Sequence, residues 1–387
     1  MTACDPKQPF RLGKDLSKKI EKNAIPGLAA LWLIACTPTP SPAEVTVENS
    51  FEARIAERLS VAENDGASGI LRITQNGEVL FESGFGSASC SLNEEVTPSH
   101  VFMIGSITKE LTSVLGFVLE EKGYLSFDKT VSDYIPDFRG EIGEVKISQL
   151  LHHTGGVPDL IDALGRPVPY SVDYDYLPVD RDDLIERAKL AKLIFEPGER
   201  EEYSNLGFQL LAAVYEVVIG ENYQALLHQY IFEPAGMTDT GYWFDDGVER
   251  QFADGCRVGG SHWGNPIDDS MWVSTGPSWN LIGAGGLLST AESLGLFFEG
   301  ISDDVYFQST AQSERYKDDR MVYSDSREQR VMGSAGSNGI FNAVAFWADR
   351  SRFNIVLVTN RADHQAEDQL FRDILKIFPA SYFSPAD

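Results

Sequence analysis

Residues 102–122, Phe-Met-Ile-Gly-Ser-Ile-Thr-Lys-Glu-Leu-Thr-Ser-Val-Leu-Gly-Phe-Val-Leu-Glu-Glu-Lys, constrain the fold more than any other stretch of the chain. Leu111, Val114, Leu115, Val118 and Leu119 recur at helical spacing, and Gly123 is a natural stop. The pattern predicts a helix opened by Ser106 at the end of an apolar run. Lys109 lies three residues on, so both side chains share one face of the first turn. A serine hydroxyl is a poor nucleophile without a base beside it. A lysine can be that base when burial and the positive helix N-terminus favour its neutral form. A second Ser-x-x-Lys, Ser126-Phe-Asp-Lys129, follows the helix and reads as a loop. Alone, either copy equally fits a serine near a helix start with an exposed lysine one turn later.

The flanking patterns set the fold class. Phe51–Ser60 reads as an amphipathic helix. Gly69–Gln75 and Glu78–Glu82 alternate and are joined by Asn76-Gly77, a strong hairpin signal. From about 125 to 300 helices and loops dominate: Leu206–Val218 ends at Gly220, and Asn222–Ile231 is a second helix. The Gly/Trp/Asp-rich stretch 254–282 is a long irregular connection of the kind that lines sites. Strands return at Gly339–Trp347 and Arg352–Thr359, and Gln365–Phe378 closes the chain as a helix. The expectation is an α+β domain over 51–387, with one sheet made from both ends and a mainly helical region inserted between them.

The first fifty residues read differently. Lys14, Lys18, Lys19 and Lys22 precede an apolar run, Ile25–Ala35, that is too short to span a bilayer but suits a signal-peptide core. Leu33-Ile-Ala-Cys36 resembles a bacterial lipobox, with Cys36 as the lipidated residue, and Thr37–Glu44 reads as a Pro-rich tether. The segment before Lys14 is long for a signal n-region and carries Asp5 and Asp15. The alternative is a disordered leader with a short apolar helix. The expectation is an exported protein held to the membrane by a lipid anchor only. Fifty-eight acidic against 32 basic residues, a net charge of −26, argue against nucleic acid as a partner. Cys90 and Cys256 either pair in an oxidising compartment or are simply buried. The six histidines are scattered, and no zinc-type spacing occurs.

Five segments, in order, resemble the serine β-lactamase-related family of class C β-lactamases, D,D-peptidases and esterases. Ser106-Ile-Thr-Lys109 matches its first motif. Leu150–Pro158 resembles its Leu-Leu-x-His-Thr-Ser-Gly-Leu loop, and Phe195–Gly207 the segment around Tyr-x-Asn, here Tyr203-Ser-Asn205. Glu233–Thr240 and Gly283–Thr290 resemble the family's Pro-Leu-Gly-Met-x-Asp-Thr and Ala-Gly-Gly-Leu segments. The resemblance implies a five-stranded antiparallel sheet flanked by helices. The third motif, Lys-Thr-Gly or His-x-Gly in the family, departs: Gly333-Ser-Ala-Gly-Ser337 stands in its place, with Ser334 where the cation belongs. His153-Thr-Gly155 and Ser274-Thr-Gly276 fall in the wrong order. Ala335-Gly-Ser-Asn-Gly339 resembles a hydrolase elbow but is followed by a strand, where an elbow needs a helix.

The resemblance implies acyl transfer: Ser106 attacks a carbonyl, Lys109 with Tyr203 moves the proton, and Asn205 orients the substrate. The amides of Ser106 and Ser337 would hold the oxyanion, with Ser334 and Gly336 lining the same strand. No metal or organic cofactor is implied. The expected substrate is a small ester, amide or peptide. A β-lactamase or D-Ala-D-Ala carboxypeptidase, made less favoured by Ser334, and a catalytically silent binding lipoprotein are the alternatives.

Overall fold

The structure, a computed structural model, describes residues 50–378 and Tyr382, apart from 93, 170–173, 175–176, 245–246, 258–261, 265–276, 325–328 and 362–363. The expectations for the leader and Cys36 lie outside these residues, as does most of 254–282. Six strands form one antiparallel sheet: β1 (Gly69–Gln75), β2 (Glu78–Phe85), β3 (Val322–Ser324), β4 (Gln329–Ser337), β5 (Asn342–Ala348) and β6 (Phe353–Thr359). Their order is β2-β1-β6-β5-β4-β3, so five long strands carry the sheet and three-residue β3 extends one edge. Strands from the two ends of the domain meet at its centre, where Ile70 faces Val358 and Ile73 faces Ile355. Asn76, at φ +54, and Gly77, at φ +80, make the hairpin turn in the left-handed conformation these residues tolerate.

Alternate residues of β1 and β6 point into two different cores. Leu71, Ile73, Ile355 and Leu357 pack against α1 (Phe51–Asn64) and α6 (His364–Ile377) through Ile55, Leu59, Phe371 and Ile374. Ile70, Val356 and Val358 join the larger core, shared with α2 (Thr108–Glu121), α3 (Asn205–Ile219) and α4 (Ala291–Ser302). Every residue of β6 is buried, as a strand covered on both faces should be.

α2 is the central helix. Its predicted apolar stripe is buried, and so are Thr112, Ser113 and Gly116 on the other faces. These polar positions are satisfied internally, Thr112 donating to the Gly283 carbonyl at 2.6 Å and Ser113 to that of Lys109 at 2.8 Å. Three expectations need correction in detail. Ser106 does not sit in the α-helix itself but in a 3₁₀ turn, Gly105–Ile107, that leads into it. The second inserted helix is α-helical only over Tyr223–Leu227 and continues as a π turn over His228–Phe232. The Gly339 strand begins at Asn342. Cys90 and Cys256, left open by the sequence, form a disulfide with Cα atoms 5.5 Å apart.

Candidate active site

The 3₁₀ turn carrying Ser106 lies directly against the end of β4, and two glycines allow it. A Cβ on Gly336 would overlap the Ile104 carbonyl oxygen and stand 2.6 Å from the Ser106 amide nitrogen. Gly105, at φ +50, has its α-carbon turned toward the Ser337 amide, which a Cβ would strike. The backbones therefore meet with no side chain between them. The amides of Ser106 and Ser337, expected as oxyanion donors, are brought together by this approach.

Lys109 enters from the first turn of α2, only 4% exposed. Its Nζ donates to Ser106 Oγ at 3.3 Å, to Asn205 Oδ1 at 2.7 Å and to the Ala284 carbonyl. The nitrogen also stands 4.8 Å from the centre of the Tyr203 ring. Tyr203 Oη is 2.7 Å from Ser106 Oγ and 3.4 Å from Asn205 Oδ1. Segments far apart in the chain thus supply the partners of Ser106 and Lys109. Ser204 caps α3 by accepting from the Gly207 amide at 2.9 Å, which fixes Tyr203 just before the helix and Asn205 in its first turn. Gly283, at φ +77, packs on the Phe208 backbone, where a Cβ would clash, and this turns the Ala284 carbonyl toward Lys109.

Burial of the Tyr203 hydroxyl raises its pKa above the ordinary tyrosine value, partly offset by the Ser106 bond, while Asp159 and Glu110 push upward as well. The residue as a whole is 38% exposed, so solvent screening tempers the shift. Tyr203 therefore rests as a phenol. The His153 ring stacks 4.8 Å from that of Tyr203, and its Nδ1 accepts from the Ser204 amide at 3.1 Å. Burial first, then the charges of Lys109 and Arg320, lower its pKa to about 3, so the imidazole is neutral.

Asp159 was not singled out by the sequence. Its Oδ1 accepts from both the backbone amide and Nδ2 of Asn205, each at 2.9 Å, which turns Asn205 Oδ1 toward Lys109. Its only sequence signal is a carboxylate directly after the Leu150–Pro158 segment. Ser334 is placed on β4 as expected, but it is 7% exposed, and its hydroxyl donates to Glu110 at 3.4 Å. The rival serines hold other places in the fold. Ser126 lies in a turn, where its hydroxyl accepts from the Asp128 amide. The elbow-like serine, Ser337, is the last residue of β4, and a strand follows it rather than a helix. A cavity of about 1080 Å³ between Trp279, Tyr242, Trp243 and Arg250 includes none of the Ser106 cluster, and geometry rather than cavity size locates the chemistry. Among the described residues there is no cluster of three or more His, Cys, Asp or Glu side chains arranged to hold a metal.

A family model described as beta-lactamase matches residues 51–376. The chain belongs to the beta-lactamase family. Among curated members, Bacillus subtilis PbpX, named as a putative penicillin-binding protein, is 26% identical over 299 residues, 76% of this chain and 71% of that protein. Esterase EstB of Burkholderia gladioli is 28% identical over 205 residues, half of each chain. A β-lactamase/D-alanine carboxypeptidase from Pseudomonas syringae superposes with a TM-score of 0.65 at 18% identity, covering 83% of this chain and 98% of that one. At that identity the superposition speaks for the fold: the β-lactamase/transpeptidase arrangement of sheet and helices.

Proposed function

We propose that the protein is a serine hydrolase that cleaves a small neutral ester or amide through an acyl-enzyme on Ser106. The observation that carries this reading is one oxygen held by two proton-handling groups, Ser106 Oγ between Tyr203 Oη and Lys109 Nζ. The phenol and the amine act as one base in the state that holds one proton fewer than phenol plus ammonium, since phenol with neutral amine and phenolate with ammonium then differ by a single internal proton transfer. As Oγ bonds to the substrate carbonyl carbon, the serine proton passes to this pair. The carbonyl oxygen becomes an oxyanion facing the amides of Ser106 and Ser337, each such donor contributing about 3–4 kcal/mol. Collapse breaks the bond to the leaving group, which takes the proton back. Water then repeats the sequence with Tyr203 as base and returns Ser106.

The likeness to EstB supports an ester substrate, and the likeness to PbpX, named as a putative penicillin-binding protein, supports a β-lactam. Ser334 favours the first, because a hydroxyl meets a substrate carboxylate without charge, and charge-assisted hydrogen bonds are about twice as strong as neutral ones. A silent binding protein would have no use for the four-residue arrangement of Ser106, Lys109, Tyr203 and Asn205. A fluorophosphonate probe should label the protein and a neutral p-nitrophenyl ester should be turned over. Ser106→Ala should abolish both with the fold intact, and Ser126→Ala should change neither. Labelling that survives Ser106→Ala would sink the assignment.

We further propose that the protein is exported and lipidated on Cys36. The Lys-rich leader, the short apolar run and the Cys90–Cys256 disulfide, a bond typical of oxidising compartments, support this. Among the described residues no helix is long and apolar enough to cross a membrane. Expressed in a Gram-negative host, the protein should fractionate with membranes, and Cys36→Ser should release it. A wild-type protein found soluble with residues 1–35 intact would overturn this.

A further inference from the structure

Glu110 follows Lys109 in α2, and its carboxylate reaches the place where the third-motif strand would present a cation. Ser334 Oγ donates to its Oε1 at 3.4 Å, and Arg320 Nη2 lies 3.2 Å from its Oε2. The acid and the guanidinium are mostly buried, their side chains 14% and 17% exposed. Arg320 ends helix α5 (Thr310–Arg320), which Arg330 of β4 ties to the sheet through Glu314 at 2.8 Å and Asp318 at 3.1 Å. The guanidinium is therefore delivered to the back of the site by a helix fixed to the same strand that carries Ser334. Both charges are felt among the reacting groups. Arg320 contributes, after burial and Lys109, to holding His153 low, and Glu110 contributes, after burial and Asp159, to holding Tyr203 high.

Taking the hydrolase reading as given, we propose that the Glu110–Arg320 pair, and not Ser334 alone, sets the charge this strand presents to substrate. Anion, cation and hydroxyl together sum to zero, so this trio offers a carboxylate-bearing acyl compound no net attraction. A cation introduced at position 334 meets the Glu110 carboxylate before it meets any substrate. Restoring a lysine is then insufficient for carboxylate recognition, and Glu110 must be neutralised as well. Glu110 and Arg320 are positioning residues here: they act through the strand and do not touch the reacting atoms.

The test compares Ser334→Lys, Glu110→Gln and the double variant, each with and without Ser106→Ala. A chromogenic cephalosporin serves as the carboxylate-bearing probe and a p-nitrophenyl ester as the neutral one. On the Ser106→Ala background, calorimetry gives the cephalosporin Kd without chemistry. Ser334→Lys alone should change that Kd by less than about twofold, whereas Ser334→Lys with Glu110→Gln should tighten it by about tenfold, the worth of one regained charged contact. With Ser106 present, the kcat/KM ratio of cephalosporin to ester should follow the same pattern. A triple variant adding Arg320→Met removes both buried charges together, which such pairs tolerate better than loss of one partner. It should keep the tenfold gain that Ser334→Lys brings once Glu110 is neutral. The proposal is overturned if Ser334→Lys alone gives the full gain, or if neutralising Glu110 adds nothing to it. A wild type that turns over neither substrate would instead sink the hydrolase reading, and the Kd series on the Ser106→Ala background would still decide the role of Glu110.

Discussion

His153 stacks against the Tyr203 ring while sitting at φ +55, a backbone region that asparagine and aspartate also enter readily. Its Nδ1 accepts the Ser204 amide only when that nitrogen carries no proton. The folded-state pKa is lowered from 6.5 to about 3, so the unfolded chain takes up the proton first. Its contribution to stability is accordingly full above pH 6.5 and is lost as the pH falls toward 3. His153→Asn keeps an acceptor and suits the left-handed backbone but does not titrate. Its Tm should fall less than that of wild type between about pH 7 and pH 4; parallel curves would show that other groups govern acid unfolding. From the sequence His153 was legible as part of a loop and as a misplaced third motif, and nothing in its neighbours announced a ring against Tyr203. Asp159, Glu110 and Arg320 were hidden for the same reason: their partners are distant in the chain, whereas Ser106 and Lys109 are three residues apart.

Between elements, the decisive contact is backbone on backbone, where the Ser106 turn rests on β4 at Gly105 and Gly336. Gly336→Ala would drive a methyl group into the Ile104 carbonyl and toward the Ser106 amide. The strand must retreat, carrying the Ser337 amide with it, and under the proposed mechanism the misplacing of one oxyanion donor costs about 10²–10³ in kcat. We expect a loss of kcat on the neutral ester of that order with KM little changed; an alanine variant of wild-type kcat would show that the strand supplies no donor. Elements such as α2, α3 and the Asn76-Gly77 hairpin were readable because their apolar and turn residues recur at regular spacing, even where, as in α2 and α3, burial extends around the whole helix. β4 left little trace. Ser334 and Gly336 are small because they lie on the face toward Glu110 and the Ser106 turn, and Gly333 on the opposite face has no side chain, so the apolar alternation of a strand is missing. The π turn at 228–232 was likewise invisible, since its residues carry the same helical spacing as an α-helix.

At the scale of the molecule, the plan of one sheet built from both ends with helices inserted was legible, because the first strands alternate, the last are short apolar runs on either side of a turn, and the middle carries helical spacing. The disulfide was not, since 166 residues separate its cysteines and only the fold brings them together. It ties the loop after β2 to Gly255–Cys256, beside Asn360 at the end of β6, whose side chain bonds the Ala88 and Asp254 carbonyls. Cys90→Ser with Cys256→Ser should lower unfolding stability by about 2–4 kcal/mol, read as a drop in Tm that reductant no longer deepens. An unchanged Tm would mean the bridge constrains little. The pairing of residues 69–75 with 353–359 also governs the order of assembly. A ribosome adds roughly 5–20 residues per second, so the first hairpin emerges and then waits tens of seconds for its central neighbour to be made. Through that interval the inner edge of β1 offers its amides and carbonyls to any other nascent chain. The molecule's most dangerous moment for aggregation is therefore written into its topology, and a chaperone or the passage of the chain through a translocation channel would have to cover it until the last strand arrives.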